Sequence, residues 1–326
     1  MQIIITLIIT VMLIILYLFI SEKKELNNNI PKVAFISLSE VDNATFSGFK
    51  EQMEQLGWFN NKNIKYIKTK PAETIENLDN IVSSALKKDP DLIFVSSTPA
   101  TQTVKKHLQS KNLKIPVLFC PVNDPVLANI IKNPNSPEGL ITGIRPPRGD
   151  SKRFDWLLKI SPHIKKVLIP YTPKDDSSLA SRKEINNLFK TSKVEIIELP
   201  FENGKNVGVF LKELPMGIDA IFLPRDSKVE SEVEKFVDYT LKHKIPLCVP
   251  SYQQVSKGAL FAFGFIHTEL GKTAANYADK ILKGVSVYNL PVKMGYSHLI
   301  LNKKTADIIG VKFDPFTISQ AKSILE

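Results

Sequence analysis

Cysteine is scarce in this chain. Only Cys120 and Cys248 occur among 326 residues, and neither belongs to a CxxC pair or to a Cys/His cluster with zinc spacing. This scarcity argues against a disulfide framework and against a structural metal. Because each cysteine lies within an apolar run, we expect both to be buried thiols, and we expect no metal and no cofactor.

Short catalytic motifs are also absent from the sequence. It contains no G-x-S-x-G elbow, no G-x-x-x-x-G-K-S/T phosphate loop and no G-x-G-x-x-G fingerprint. The five histidines share no metal-ligand spacing; they are His107, His163, His243, His267 and His298. These absences favour a protein that is not an enzyme.

The formal net charge of +10 raises the question of a nucleic-acid partner. The lysines, however, are scattered along predicted helix faces, and no recognised nucleic-acid-binding motif occurs. We therefore expect no nucleic-acid partner. Attraction to an anionic membrane surface is the better functional interpretation of the charge.

The N-terminal segment from Ile3 to Ile20 is almost wholly apolar, interrupted only by Thr6 and Thr10. As a helix it would span about 27 Å, close to the hydrocarbon thickness of a bilayer. No Lys or Arg precedes it and no small-residue cleavage site follows it, which favours an uncleaved membrane anchor over a signal peptide. Residues 1–30 are thus predicted to hold a transmembrane helix and a polar tether, with a cleaved signal segment as the alternative.

Two parts of the chain repeat each other. Asp91–Thr98, followed by a helical stretch and Lys114–Pro121, is echoed by Asp219–Asp226, a helical stretch and Lys244–Pro250. Order and spacing are kept as well as residue type. Two similar halves imply a cleft between them, and a cleft between domains is a favoured place for a small ligand.

Short apolar segments alternate with segments of helical periodicity through both halves, which is typical of a parallel, doubly wound sheet. We therefore predict an α/β fold with two similar doubly wound parallel-sheet domains, a hinge and an interdomain cleft. The first domain is predicted to comprise residues 31–145 and about 258–288, and the second residues 146–257 and about 289–326. The segment of about 258–288 is given to the first domain because its helix has no counterpart earlier in the chain.

Polar side chains follow the predicted strands where open α/β sheets bind ligands, outside the carboxyl ends of the strands. The candidates from both halves are Ser37, Ser97, Thr98, Thr101, Asn123, Asp124, Thr172, Asp226 and Ser251. Hydroxyl and backbone N–H groups at Ser97, Thr98 and Thr101 would suit a carboxylate, and Asp226 could hold a ligand ammonium group. Plain helix capping is the alternative for Thr98 and Asp226, and an Asx turn is the alternative for the Asn-Asp-Pro loop.

Several short motifs occur in an order and spacing that resemble a known family. They are Phe49 to Gly57, Asp89 to Ile93, Ser97 to Thr101, Asn123 to Pro125, Ile141 to Gly143, Ile245 and Pro246, Gly258 to Leu260, Gly264, Leu270 and Gly271, Ile281 to Gly284, Leu290 to Val292, Asn302, Ala306 and Gly310. From about Pro31 to Gly310 the chain resembles bacterial ABC-transporter substrate-binding proteins of the tryptophan/tyrosine-binding type, a branch of the type I periplasmic binding proteins.

The resemblance implies a protein that captures a small-molecule ligand, an amino acid or a similar polar compound, by closure of its cleft. It implies an ABC permease as the membrane partner, a monomeric protein, and a place at the extracytoplasmic face of the bacterial cytoplasmic membrane, to which residues 3–20 would anchor it. An input domain that senses the ligand for a membrane signalling partner is the alternative function. Thr172 and Ser227 stand where the family usually has Asn, so the identity of the ligand stays open.

Overall fold

The computed structural model describes residues 30–137, 139–173, 175–189, 193–201, 207–212, 214–215 and 217–326. The predicted membrane anchor at residues 3–20, and nearly all of the tether that follows it, lie outside these residues. None of the helices within the described ranges is long and apolar enough to cross a membrane.

The first half of the described chain alternates strands and helices. Its elements are β1 (Lys32–Ile36), a 3₁₀ helix (Glu40–Asp42), α1 (Asn43–Gln55), β2 (Lys65–Lys68), α2 (Leu78–Leu86), β3 (Leu92–Val95), α3 (Thr98–Ser110), β4 (Val117–Phe119) and β5 (Ile141–Arg145). Strands β1 and β3 are apolar and buried along nearly their whole length, as expected for parallel strands covered on both faces of the sheet.

The second half repeats this alternation, and the chain then returns to the first domain. Its elements are α4 (Asp150–Ile160), β6 (Lys166–Tyr171), α5 (Asp176–Phe189), β7 (Glu195–Pro200), α6 (Val207–Lys212), β8 (Ala220–Phe222), α7 (Ser227–Ser231), α8 (Val233–His243), β9 (Leu247–Ser251), α9 (Tyr252–Val255) and β10 (Phe261–Phe265). They are followed by α10 (His267–Leu282), a second 3₁₀ helix (Val287–Asn289), β11 (Lys293–Met294), β12 (His298–Asn302), α11 (Lys303–Ile309), α12 (Pro315–Gln320) and β13 (Ala321–Leu325).

The strands form two sheets whose strand orders match. The first sheet has the order β11-β5-β4-β3-β1-β2, and the second has the order β13-β12-β10-β9-β8-β6-β7. Strand β1 lies between β2 and β3, as β6 lies between β7 and β8, and these pairs are parallel. The prediction of two α/β domains with parallel sheets is confirmed. The second sheet adds two features: β12 runs antiparallel to β10, and a seventh strand, β13, pairs with β12.

The chain passes between the two domains more than once. Strand β10 pairs with β9 and β12 in the second sheet, then α10 packs against α1 of the first domain, and β11 pairs with β5. The predicted first-domain segment of about 258–288 therefore needs correction at both ends. The crossing falls at Ile266, because the apolar residues of β10 complete the core of the second domain, and first-domain pairing continues to Met294.

The two cysteines lie in different domains. Cys120 follows β4 and Cys248 lies in β9, and both are buried free thiols, as predicted. Burial raises the pKa of both thiols, to about 12 for Cys248. Because the thiolate is the reactive form, neither side chain is activated for chemistry.

Two glycines let helices α1 and α10 meet at their backbones. A Cβ atom added to Gly48 would collide with the carbonyl oxygen of Thr268, and one added to Gly271 would collide with the carbonyl oxygen of Thr45. Because the atoms in the way belong to the backbone, no rotation of a side chain could relieve either collision. This contact holds α10, and with it the end of β10, against the first domain.

Gly271→Ala is expected to lower the free energy of unfolding by about 1–3 kcal/mol, because the added methyl group would force α1 and α10 apart. Urea unfolding followed by circular dichroism measures the loss. Lys280→Ala, an exposed change on the same helix, is the control and should alter the free energy by less than about 0.5 kcal/mol. If Gly271→Ala were as stable as the wild type, the two helices would not meet at this point.

Candidate functional site

A cavity of about 40 Å³, here called the cleft cavity, lies between the carboxyl ends of the two sheets. Its walls come from loops and helix starts of both domains: Ser39, Val41, Asp42, Ser97, Thr98, Pro121 and Asn123 from the first, Ser177, Arg225, Ser227 and Glu230 from the second, and Phe265 and His267 from the crossing between β10 and α10. Since strand ends of both domains meet here, this is where open α/β sheets bind ligands.

Asp42 is a buried carboxylate on the first-domain side of the cleft cavity. One of its oxygens accepts a hydrogen bond of 2.6 Å from Ser96 Oγ, and the other accepts one of 3.2 Å from the backbone N–H of Ser39. Loss of hydration raises the pKa of Asp42, and the hydrogen bonds oppose this effect only in part. The group therefore takes up a proton more readily than an exposed aspartate does.

Helix α3 begins at Thr98, with its N-terminus at the cleft cavity. The N-cap residue Ser97 has a φ of 84°, a conformation that residues other than glycine rarely adopt. Its Oγ accepts a hydrogen bond from the backbone N–H of Ala100, and its carbonyl oxygen accepts one from Thr101 Oγ1 at 2.7 Å. These bonds hold a strained turn at which the helix dipole presents partial positive charge to the cavity.

Asn123 joins the two domains across the cleft cavity. Its Nδ2 donates to Ser177 Oγ at 2.7 Å and to the carbonyl oxygen of Arg225 at 2.9 Å. Ser177 Oγ in turn donates to the same carbonyl oxygen at 2.9 Å. A first-domain amide thus binds two groups of the second domain, and this contact requires that the domains be closed.

Arg225 is held by carboxylates of its own domain. Its guanidinium donates to Asp150 at 2.8 Å, to Glu184, and to the carbonyl oxygen of Pro147 at 2.7 Å. Burial would lower the pKa of Arg225, but the charges of Asp150 and Glu184 outweigh it and raise the pKa. The positive charge on this wall of the cavity is therefore compensated before any ligand binds.

Glu230 brings a second carboxyl group to the cleft cavity, from helix α7 of the second domain. Loss of hydration, with a further contribution from the charges of Asp226 and Asp42, raises the pKa of Glu230 to about 8. The side chain is therefore largely protonated at neutral pH. A cation that entered the cavity would favour its ionised form.

His267 gives the cleft cavity a neutral polar atom beside an aromatic ring. Its Nδ1 lies 2.9 Å from Thr45 Oγ1, and its Nε2 is buried with no hydrogen-bond partner among the described residues. Burial lowers the pKa of His267 to about 4, so the imidazole is uncharged at neutral pH. The ring centroids of Phe265 and His267 are 4.9 Å apart. A buried polar atom of this kind usually has a partner, and a ligand could provide it.

The structure places three of the predicted site residues on the cleft cavity: Ser97, Thr98 and Asn123. Asp124 lines a neighbouring cavity between the domains. The remaining five are buried and do not line the cleft cavity: Ser37, Thr101, Thr172, Asp226 and Ser251. Two of them have clear local roles, since Thr101 stabilises the Ser97 turn and Ser251 forms a capping box with Gln254.

The predicted contact between Asp226 and a ligand ammonium group needs correction. Asp226 Oδ2 accepts a 2.7 Å hydrogen bond from the backbone N–H of Thr172. Its Oδ1 accepts bonds of 3.0 Å from Thr172 Oγ1 and 3.1 Å from the backbone N–H groups of Lys228 and Val229. Asp226 is thus the fully buried N-cap of α7, which is the capping alternative that the sequence leaves open.

Four titratable residues of the cleft cavity are absent from the predicted site: Asp42, Arg225, Glu230 and His267. Asp42 and Glu230 lie within the first short helix after a strand rather than at the strand end itself. A search extended into those helices would have found both. His267 could not be found in this way, because its position depends on where the chain crosses between the domains.

Asp226→Ala is expected to destabilise the ligand-free protein by about 2–4 kcal/mol, since it removes a helix cap and leaves the buried N–H of Thr172 without a partner. Asp314→Ala, which removes the cap of the peripheral helix α12, is the matched control and should cost less than Asp226→Ala, because Asp314 is exposed whereas Asp226 is fully buried. Urea unfolding measures both losses. If Asp226→Ala instead kept the stability of the wild type and bound the ligand more weakly, Asp226 would be the partner of the ligand ammonium group.

Glu230 should make the ligand-free protein less stable as the pH rises. Its folded-state pKa of about 8 lies above the ordinary glutamate value of 4.5, so between these values the folded state binds more protons than the unfolded state. Glu230→Gln should therefore lose less stability than the wild type from about pH 5 to pH 8. Urea unfolding at several pH values tests this.

Glu234→Gln is the control for that series. Glu234 is exposed, and a hydrogen bond from Lys257 lowers its pKa, so it stays ionised over the same range. The control should show the wild-type dependence on pH. If Glu230→Gln also showed the wild-type dependence on pH, the pKa of Glu230 would not be raised in the folded protein.

Comparison with known proteins gives the same family as the sequence motifs. The sequence model of one family, described as ABC transporter substrate binding protein, matches residues 32–324. A tyrosine-binding protein from Clostridioides difficile is 25% identical over 266 residues, which is 81% of this chain and 76% of that protein.

Two solved structures share the fold. A conserved domain protein from Vibrio cholerae has a TM-score of 0.83 at 22% identity, covering 90% of this chain and 99% of that one. An ABC domain from Streptococcus pneumoniae in complex with L-Trp has a TM-score of 0.79 at 18% identity, with the same coverage. Because the family model spans nearly all of the described residues, the chain belongs to the ABC transporter substrate binding proteins.

Proposed function

We propose that this protein is the extracytoplasmic solute-binding component of an ABC import system, and that it captures an amino acid in the cleft cavity by closure of its two domains. The residues that line this cavity are the main support for the proposal. A helix N-terminus and two carboxyl groups with raised pKa values face one enclosed space. This combination suits a zwitterion, which has one negative end and one positive end.

The carboxylate of the ligand is proposed to bind at the start of α3. Partial positive charge at the helix N-terminus favours an anion there, and the hydroxyl groups of Ser97 and Thr98 lie at the same cavity. Thr101, also predicted for this site, would support the turn through its bond to the Ser97 carbonyl oxygen. The strained backbone of Ser97 fits a turn that is shaped for binding rather than for stability.

Glu230 replaces Asp226 as the proposed partner of the ligand ammonium group. Asp226 has both oxygens committed within the fold, whereas Glu230 faces the cavity. An ammonium ion would lower the pKa of Glu230 from about 8. Binding near neutral pH should therefore release a proton, and Asp42, on the same cavity, would share in stabilising the positive charge.

An aromatic side chain is the proposed third part of the ligand. Phe265 and His267 form an aromatic wall, against which a flat ring can pack with offset or edge-on geometry. The family relatives named above include one that binds tyrosine and one solved with L-Trp. The cavity of about 40 Å³ is smaller than an amino acid, so the domains would have to move apart to admit the ligand before they close around it.

A permease in the membrane is the proposed recipient of the ligand, because substrate-binding proteins of this family serve ABC transporters. The apolar segment at residues 3–20 would hold the protein at the extracytoplasmic face of the membrane, within reach of that partner. The interdomain contact at Asn123 would let the permease distinguish the closed form from an open one.

A thermal-shift screen of the full chain against the common amino acids tests the ligand class. An amino acid that binds only the folded protein raises the melting temperature in proportion to its affinity and concentration. We expect the largest rise with tyrosine or tryptophan. A rise with sugars or purines and none with any amino acid would contradict the proposal.

Isothermal titration calorimetry in two buffers of different ionisation enthalpy tests the role of Glu230. The wild type should release a proton on binding at pH 7, and Glu230→Gln should release less and bind about tenfold to a hundredfold more weakly, the equivalent of one charged hydrogen bond. Glu234→Gln should behave as the wild type. Unchanged affinity and proton release in Glu230→Gln would place the ammonium group elsewhere.

A further inference from the structure

A second cavity, of about 420 Å³, lies between the domains beside the cleft cavity. Its charged lining residues are Asp124 and Arg145 from the first domain, Arg148 from the connection between β5 and α4, and Lys183, Glu184 and Arg225 from the second domain. The connection between β5 and α4, at residues 146–149, passes from the first domain to the second and is called the hinge. Asn123 and Arg225 line both cavities and so form a wall between them. We call this second space the hinge cavity.

The two carboxylates of the hinge cavity already have partners. Glu184 pairs with the guanidinium of Arg225. Asp124 Oδ1 accepts hydrogen bonds of 3.0 and 3.1 Å from backbone N–H groups of its own turn, and its Oδ2 lies 3.9 Å from Arg148. These acids therefore do not neutralise the other cations that line the space.

Two cations of the hinge cavity have no carboxylate partner within the described ranges. In the part of the chain that the structure describes, no carboxylate oxygen lies within 4.0 Å of the charged groups of Arg145 or Lys183. Arg145 Nε is buried and has no hydrogen-bond acceptor among the described residues. Burial, together with the charges of Arg148 and Arg225, lowers the pKa of Arg145. A buried guanidinium nitrogen with no acceptor is costly, and an anion would satisfy it.

We propose that the hinge cavity binds a small polyanion carrying phosphate or carboxylate groups, held between Arg145 of the first domain and Lys183 of the second, with Arg148 completing the site at the hinge. Guanidinium groups bind such oxyanions with paired, charge-assisted hydrogen bonds. Because the cations come from both domains, the anion binds the closed arrangement and stabilises it. This site is separate from the amino-acid site and does not rest on the proposed function.

Calorimetric titration of the full chain with inorganic phosphate and with citrate tests the site, at ionic strength held constant with sodium chloride. Phosphate probes a single compact oxyanion, and citrate probes a molecule with several carboxylates. We expect saturable binding of at least one of them. Arg145→Gln and Lys183→Gln should each weaken that binding by about tenfold or more, which corresponds to one charge-assisted hydrogen bond.

Two controls separate this site from other effects. Lys280→Gln, at an exposed position on α10, should bind the anion as the wild type does. Thr98→Val, at the cleft cavity, should also leave anion binding unchanged. Because Lys183 is exposed, Lys183→Gln keeps the test valid even if Arg145→Gln fails to fold, which circular dichroism would reveal.

Three results would overturn the proposal. The first is that the wild type binds neither anion. The second is equal binding by the wild type, Arg145→Gln and Lys183→Gln, which would place the anion outside the hinge cavity. The third is loss of binding in Thr98→Val but not in Lys183→Gln, which would place the anion in the cleft cavity. None of these results depends on whether an amino acid binds there.

Discussion

Arg225 and Asp150 form a buried ion pair beside the hinge, with 2.8 Å between the guanidinium and the carboxylate. The backbone carbonyl oxygen of Arg225 accepts the hydrogen bond from Asn123 across the domain gap. The guanidinium of Arg225 also donates a hydrogen bond to the carbonyl oxygen of Pro147 in the hinge. One residue, through its backbone and its side chain, thus joins the hinge, the wall of the cleft cavity and the interdomain contact. Removing one partner of such a buried pair costs about 3–5 kcal/mol, because the other charge is left uncompensated.

The carboxyl groups around the cleft fall into two groups according to whether a cation lies beside them. Burial would raise the pKa of Asp150, but the charges of Arg225 and Arg153 outweigh it and lower the pKa. Arg153 is itself fixed, 4.1 Å above the ring of Phe222. Glu230 faces the cleft cavity without a comparable partner, and its pKa is raised to about 8. A carboxylate with a cation beside it, such as Asp150, has a structural role. A carboxyl group without one, such as Glu230, can still be stabilised in its ionised form by a bound cation.

The sequence predicts the two sheets because the repeat and the apolar strands are local patterns. It also predicts Ser97, Thr98 and Asn123 at the cleft, since carboxyl ends of parallel strands meet at one edge of a sheet. It could not decide between the two roles of Asp226, because the choice depends on backbone N–H groups that only the folded loops bring within reach. Glu230 was missed for another reason, since it lies within the short helix α7 and not at the end of strand β8.

The central claim is that the cleft cavity holds an amino acid with its carboxylate at the start of α3 and its ammonium group at Glu230. A crystal structure of the chain with the amino acid that it binds most tightly tests this directly. The account predicts carboxylate oxygens within hydrogen-bond distance of Ser97 or Thr98, and the ammonium nitrogen against the Glu230 carboxylate. An ammonium group on Asp226, or a ligand bound outside the cleft cavity, would contradict it.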